Sequence, residues 1–194
     1  MSDFKINSIA TKQGQHGPVI AGVSTVNSTG CMKIPSGPTE FRGGRGRGIF
    51  AGGEPGTTNT IEQVTIATTG NGTDFGDLTV RRQTGLGGAS SSTRGVFMSG
   101  FDPSSAINVI DFVTTATTGD ASDFGDLSVS TGYLAACSSA TRGLFAGGNN
   151  PAIRDTIEFV TIASESNTTD FGDLVKARQQ FAGMSDAHGG LQGG

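Results

Sequence analysis

Asp74-Phe-Gly-Asp-Leu78 is spelled again at Asp123–Leu127 and at Asp170–Leu174. The first residues of the three copies, 74, 123 and 170, stand 49 and 47 apart. A second marker, Arg-Gly-aliphatic-Phe, keeps the same spacing at Arg47–Phe50, Arg94–Phe97 and Arg142–Phe145. Two unrelated markers in one period of about 47 residues mean three copies of one structural unit. Repetition also argues against catalysis, because an enzyme needs one site and this pattern spells three. The expectation is that the protein is not an enzyme.

Outward from the motif, each unit reads as short strands joined by tight turns. Residues 47–53 (RGIFAGG) form a strand that ends on a double glycine, where positive φ costs nothing. Residues 59–68 (NTIEQVTIAT) alternate with apolar character at Ile61, Val64 and Ile66, and with Gln63 between them. The slip from odd to even positions predicts a bulge or a twisted strand end. A turn over 69–73, a strand over 74–80 and a small-residue strand over 86–92 complete the unit before Arg94 restarts it.

The second copy places its strand at 108–117, its turn at 118–122 and its small-residue strand at 134–139. The third places them at 155–163, 164–169 and 181–185. His188–Gly194 is a worn copy of Arg142–Gly148, with Leu191 at the Phe position, and predicts the first strand of a fourth unit. The one helical candidate is Leu174–Gln180.

The expected fold is therefore all-β. Repeats run over about 45–92, 93–140 and 141–187, with a partial strand at 188–194, inside a domain covering 41–194. Residues 1–40 lie outside the period and read as an N-terminal arm or adaptor, closed by the extended turn Pro35-Ser-Gly-Pro38. Four strands per unit is the grammar of a propeller blade or of a pseudo-threefold trefoil or prism. Propellers use about four to eight blades, so the favoured arrangement is one in which several chains complete a ring, two of them giving six blades.

Composition agrees. The chain has 32 Gly in 194 residues, 12 Phe, one Tyr and no Trp, which suits short strands and many turns. A net charge of −4 makes no electrostatic case for nucleic acid or for an acidic membrane. The local basic cluster Arg42, Arg45 and Arg47 reads as a glycine-rich connector rather than a nucleic-acid segment. Cys31 and Cys137 either pair or stay apart as small buried hydrophobes. With no apolar leader and no apolar run near the roughly 20 residues of a membrane span, a soluble product made in the cytoplasm is expected.

Leu144-Phe-Ala-Gly-Gly148, the strand at 156–162 and the arginine before the next small-residue strand (Arg81 or Arg178) resemble kelch-type β-propeller repeats. Kelch blades carry a Tyr and a Trp after the double glycine. This chain has neither there, and Phe75, Phe124 and Phe171 are expected to take the packing role. The wording of residues 65–78, 17–22 and 34–39 is similar to repeat-bearing virion structural proteins of marine tailed phages, especially those infecting cyanobacteria. That resemblance implies a virion protein, either a surface-exposed capsid decoration or a tail- or fibre-associated part. The alternative is a host-surface, glycan-binding adhesin module using loops 54–58, 102–106 and 149–154, where the copies differ most. Expected partners are sister copies in a homo-oligomer and other virion proteins held by the 1–40 arm.

Three groups of residues are candidates for function. Asn71, Asp74 and Asp77, with Asp120, Asp123 and Asp126 and with Asn167, Asp170 and Asp173, either ligate Ca²⁺ or shape the turns through backbone bonds. No other cofactor is expected. Phe50, Phe75, Leu78, Phe97, Phe124, Leu127, Phe145, Phe171 and Leu174 are expected to pack between repeats. Arg47, Arg94 and Arg142 are expected to pair with the repeated aspartates or with backbone carbonyls of a neighbouring unit. Hydrolytic chemistry has only His16 and His188 to draw on, one in the arm and one in the tail.

Overall fold

The computed structural model describes residues 46–185. Their regular structure is all β, in three antiparallel sheets taken in chain order. Sheet 1 holds β1 (Arg47–Ala51), β2 (Thr58–Thr65) and β3 (Thr73–Arg82). Sheet 2 holds β4 (Gly87–Ser90), β5 (Arg94–Met98), β6 (Val109–Thr114) and β7 (Ser122–Asp126). Sheet 3 holds β8 (Ala135–Ser138), β9 (Arg142–Ala146), β10 (Thr156–Thr161) and β11 (Thr169–Asp173). Every sheet is a meander in which each strand pairs with the next. The stretch 174–180, the helical candidate, contains bends and no helix.

The sheets are framed differently from the sequence period. The small-residue strand belongs to the sheet that follows it: β4 pairs with β5, and β8 with β9. The cause is a tight hairpin. Ser91 N–H donates to the Arg94 carbonyl, and the Ser91 hydroxyl oxygen accepts from the backbone N–H of Thr93 and Arg94. Ser139 repeats this ahead of Arg142. The third small-residue stretch, Phe181–Ser185, forms no strand. It runs close to β8, since a Cβ on Gly183 would stand 2.4 Å from the Ala136 carbonyl oxygen. A strand needs a ladder partner, and among the described residues this stretch has none. The 1–40 arm, Cys31, Arg42, Arg45, both histidines and the partial strand at 188–194 lie outside the described residues.

All three sheets carry a β-bulge, but in sheet 1 its extra residue lies on β3 and not on the slipped stretch 59–68, whose β2 pairs with β1 in unbroken register. Ile61 pairs with Gly76 but Glu62 pairs with Asp74. Ile110 and Asp111 face Gly125 and Asp123, and Ile157 and Glu158 face Gly172 and Asp170. The skipped residue is Phe75, Phe124 or Phe171, so the phenylalanine of the repeated motif is the extra residue of a β-bulge. Bulges bend a strand and re-aim a side chain. The glycine after it sits at φ 149°, 142° and 138° in the three copies, a conformation that side-chain-bearing residues rarely adopt.

The re-aimed rings fill two separate cores. Phe75 and Leu78 join Ile61 and Val113 between sheets 1 and 2. Phe124 and Leu127 join Val96, Met98, Phe145, Val160 and Ile162 between sheets 2 and 3. The first strands of sheets 2 and 3 also meet: Ser90 N–H donates to the Ser138 hydroxyl, which in turn donates to the Ser90 carbonyl.

A Cβ on Gly125 would lie 2.5 Å from the Ser166 carbonyl oxygen, on top of the φ strain. Gly125→Ala should therefore lower unfolding free energy by at least about 2 kcal/mol in urea melts. Gly88→Ala, in open space on β4 without a positive φ, should stay within about 0.5 kcal/mol of wild type.

Candidate functional site

The repeated polar residues converge on the two seams between sheets. At the first seam, Gly119 N–H donates to the Phe75 carbonyl and Ala121 N–H to the Asp77 carbonyl, at 2.7 and 2.8 Å. Asp77 N–H donates back to Asp120 Oδ1 at 3.0 Å. At the second seam, Thr168 N–H donates to the Asp126 carbonyl, and Asp126 N–H donates to Asn167 Oδ1 at 3.0 Å. Asp120 and Asn167 thus cap the neighbouring sheet and not their own turn. Asn71, the third member of that set, is exposed at the turn before β3.

This arrangement bears on the calcium reading. Asp120 and Asn167 are engaged across the seams, while Asp74, Asp123 and Asp170 stand on the exposed surface of their strands. Among the described residues, no group of three or more His, Cys, Asp or Glu side chains is placed to hold a metal ion. Asp173 is exposed at the end of β11.

The repeated arginines cross the seams to main-chain carbonyls. Arg47 Nη1 donates to the Thr115 carbonyl at 3.2 Å and Arg94 Nη1 to the Ile162 carbonyl at 3.3 Å. Arg94 also pairs with Glu165 at 3.1 Å and lies 4.3 Å from the centre of the Phe112 ring. The acid it meets is this glutamate, not one of the repeated aspartates. Arg142 stacks 4.8 Å over Phe159 of its own sheet and is otherwise exposed.

The packing set divides by position. Phe75, Leu78, Phe124, Leu127 and Phe145 are buried, Phe97 and Leu174 are half-buried, and Phe50 and Phe171 are exposed. The exposed pair lies on faces of sheets 1 and 3 that no described sheet covers, which is why two side chains expected in the core stand in solvent.

One site in the first seam is absent from the sequence-derived set. Arg82 and Asp111 are fully buried and joined at 2.5 Å. Arg82 also donates to the carbonyls of Val80, Ser99 and Val109, and the Thr79 hydroxyl donates to Asp111. Burial pushes the Asp111 carboxyl above its ordinary range, against the pull of Thr79 and Arg82. Burial likewise pulls the Arg82 guanidinium down, against the opposing effect of Asp111. In the second seam Glu158 occupies the Asp111 position and accepts from the Ser128 and Thr168 hydroxyls. A signal existed: Glu62, Asp111 and Glu158 occupy one column when the three copies are laid over one another.

Cys137 lies half-buried on β8 and forms no disulfide among the described residues, while its candidate partner Cys31 falls outside them. Loop 102–106 is braced by Asp102, whose carboxylate accepts from the N–H of Ser104 and Ser105, both at 2.7 Å. Those bonds, the Ser104 N–H foremost, hold the Asp102 carboxyl below its usual range. No protein-family model matches the chain, and no curated protein matches it.

Removing one member of the buried pair leaves the other charge stranded. Asp111→Asn should cost about 3–5 kcal/mol in chemical denaturation, whereas Arg82→Met combined with Asp111→Leu should cost less than the sum of the single changes. Asp120→Asn keeps the oxygen that Asn167 uses and should be near neutral, while Asp120→Ala should cost about 1 kcal/mol.

Proposed function

We propose that the protein is a structural component of a phage virion, either a surface-exposed capsid decoration or a tail- or fibre-associated part. The observation that carries this reading is the construction of the seams. Each combines main-chain bonds, a side-chain cap, an arginine on a carbonyl and a buried Phe–Leu pair. Sheets joined in this way form a stiff scaffold, and the same design is used twice in succession. The likeness of residues 65–78 to virion repeat proteins supports the location on the particle. In this reading residues 1–40 attach the scaffold to other virion proteins.

A second reading, a glycan-binding adhesin, is favoured by the three variable loops. Each leaves its sheet at the equivalent corner, after Gly52-Gly53, Ser99-Gly100 or Gly147-Gly148, all at positive φ. A glycan array probed with the purified protein separates the two: the scaffold reading expects no glycan signal.

Mass spectrometry of purified particles should detect the full-length chain. A phage carrying a deletion of residues 1–40 should yield particles without it, while the truncated protein alone keeps a β-type circular dichroism spectrum. Retention of the truncated chain on the particle would sink the role given to the arm, and absence of the full-length chain from particles would sink the virion reading.

A further inference from the structure

Each seam joins two unlike faces. The trailing face of one sheet brings the bulged Phe, its Gly, the seam arginine and the end of the Asp-Phe-Gly-Asp-Leu strand. The leading face of the next brings the Glu62/Asp111/Glu158 column, the apolar residues beside it and the turn with Asn71, Asp120 or Asn167. The described residues contain two completed seams and, at the ends of the series, one unused face of each kind.

The unused faces retain the features of the used ones. Phe171 is 51% exposed where Phe75 and Phe124 are 3% and 2% exposed. A Cβ on Gly172 meets nothing within 4 Å, whereas one on Gly76 would lie 2.4 Å from Gly119 and one on Gly125 2.5 Å from Ser166. On the leading face of sheet 1, Ile66 is 71% exposed against 1% for Ile162, and Phe50 is 61% exposed against 2% for Phe145.

The charges are complementary. Repeat register puts Arg178 at the Arg82 position, and local bonding agrees. Both donate Nε to the carbonyl two residues before, Val80 or Lys176, at 3.3 and 3.4 Å. The main-chain carbonyls of Arg82 and Arg178 themselves each accept from a glycine of the double-glycine turn, Gly53 or Gly148. Glu62 stands at the Asp111 position, exposed and outside every ion pair among the described residues.

We propose that the trailing face of sheet 3 docks on the leading face of sheet 1 in a second copy of this chain, rebuilding the same seam between molecules. Arg178 then meets Glu62 as Arg82 meets Asp111. Asp173 N–H donates to Asn71 Oδ1, Arg142 donates to the Ile66 carbonyl, and Phe171 packs beside Phe50 and Ile66. Pairing like faces would set Arg178 against Arg178 or Glu62 against Glu62, so the contact is head to tail. A heterologous contact of this kind closes into a ring when its rotation permits. Propellers close with about four to eight blades, so two copies supplying six sheets form the ring.

Sedimentation and light scattering on the full-length chain test the proposal through charge exchange. Wild type should have twice the mass of one chain. Glu62→Arg and Arg178→Glu, each alone, should weaken association on the order of 30-fold or more by facing like charges. An equimolar mixture of the two variants, and the doubly exchanged chain, should recover the dimer, because each interface then carries one charge of each sign. A wild-type chain that stays single at all concentrations overturns the proposal and assigns these faces to residues 1–45 or to a different protein. So do single variants that dimerise like wild type, or folded variants whose mixture and double exchange both stay apart.

Discussion

The structure depends on one backbone irregularity, the bulge at Asp-Phe-Gly-Asp. A regular antiparallel ladder would alternate Phe75, Phe124 and Phe171 with their neighbours across the two faces of their own sheets. The extra residue instead turns each ring out of the ladder, and at Phe75 and Phe124 the ring enters the space between sheets. Burying a ring of that size is worth roughly 1.5–3 kcal/mol. The glycine that follows is required twice over, by its φ and by the neighbouring main chain lying against it. Asp-Phe-Gly-Asp-Leu is thus a device for joining sheets, and its threefold occurrence reflects the number of faces it equips.

Around that apolar contact the polar groups are arranged so that little main chain is left unpaired where sheets meet. Asp120 and Asn167 accept amide bonds from the opposite sheet, and the arginines answer carbonyls. The two seams differ in cost. Asp111 and Arg82 are a buried ion pair whose attraction works against desolvation, and such pairs lend geometric specificity more readily than net stability. Glu158 is held by hydroxyls instead, with Thr131 where the first seam has Arg82. That the arginine returns at position 178, facing no acid among the described residues, is the detail that points beyond one chain.

Much of the fold could be read from residue pattern. The all-β class followed from glycine-rich turns between short alternating runs, whereas the parity change at Ile61, Val64 and Ile66 pointed to a bulge on β2 and the extra residue lies on β3. The framing of the sheets did not follow, because Ser91 and Ser139 close hairpins backward onto the small-residue strands, and hairpin closure leaves no mark in the period. The exposure of Phe50 and Phe171 was equally illegible, since repeated words look identical whether or not a neighbour covers them.

By itself the sequence determined the repeat and the all-β character, because those rest on spacing and on local backbone preference. Only the tertiary structure decided which sheet each strand joins, that Asp120 and Asn167 serve the opposite sheet, and that Arg82 finds Asp111. It also decided which equivalent residues are covered and which are open. These are contacts between residues some 30 to 50 positions apart, set by how whole sheets lie together.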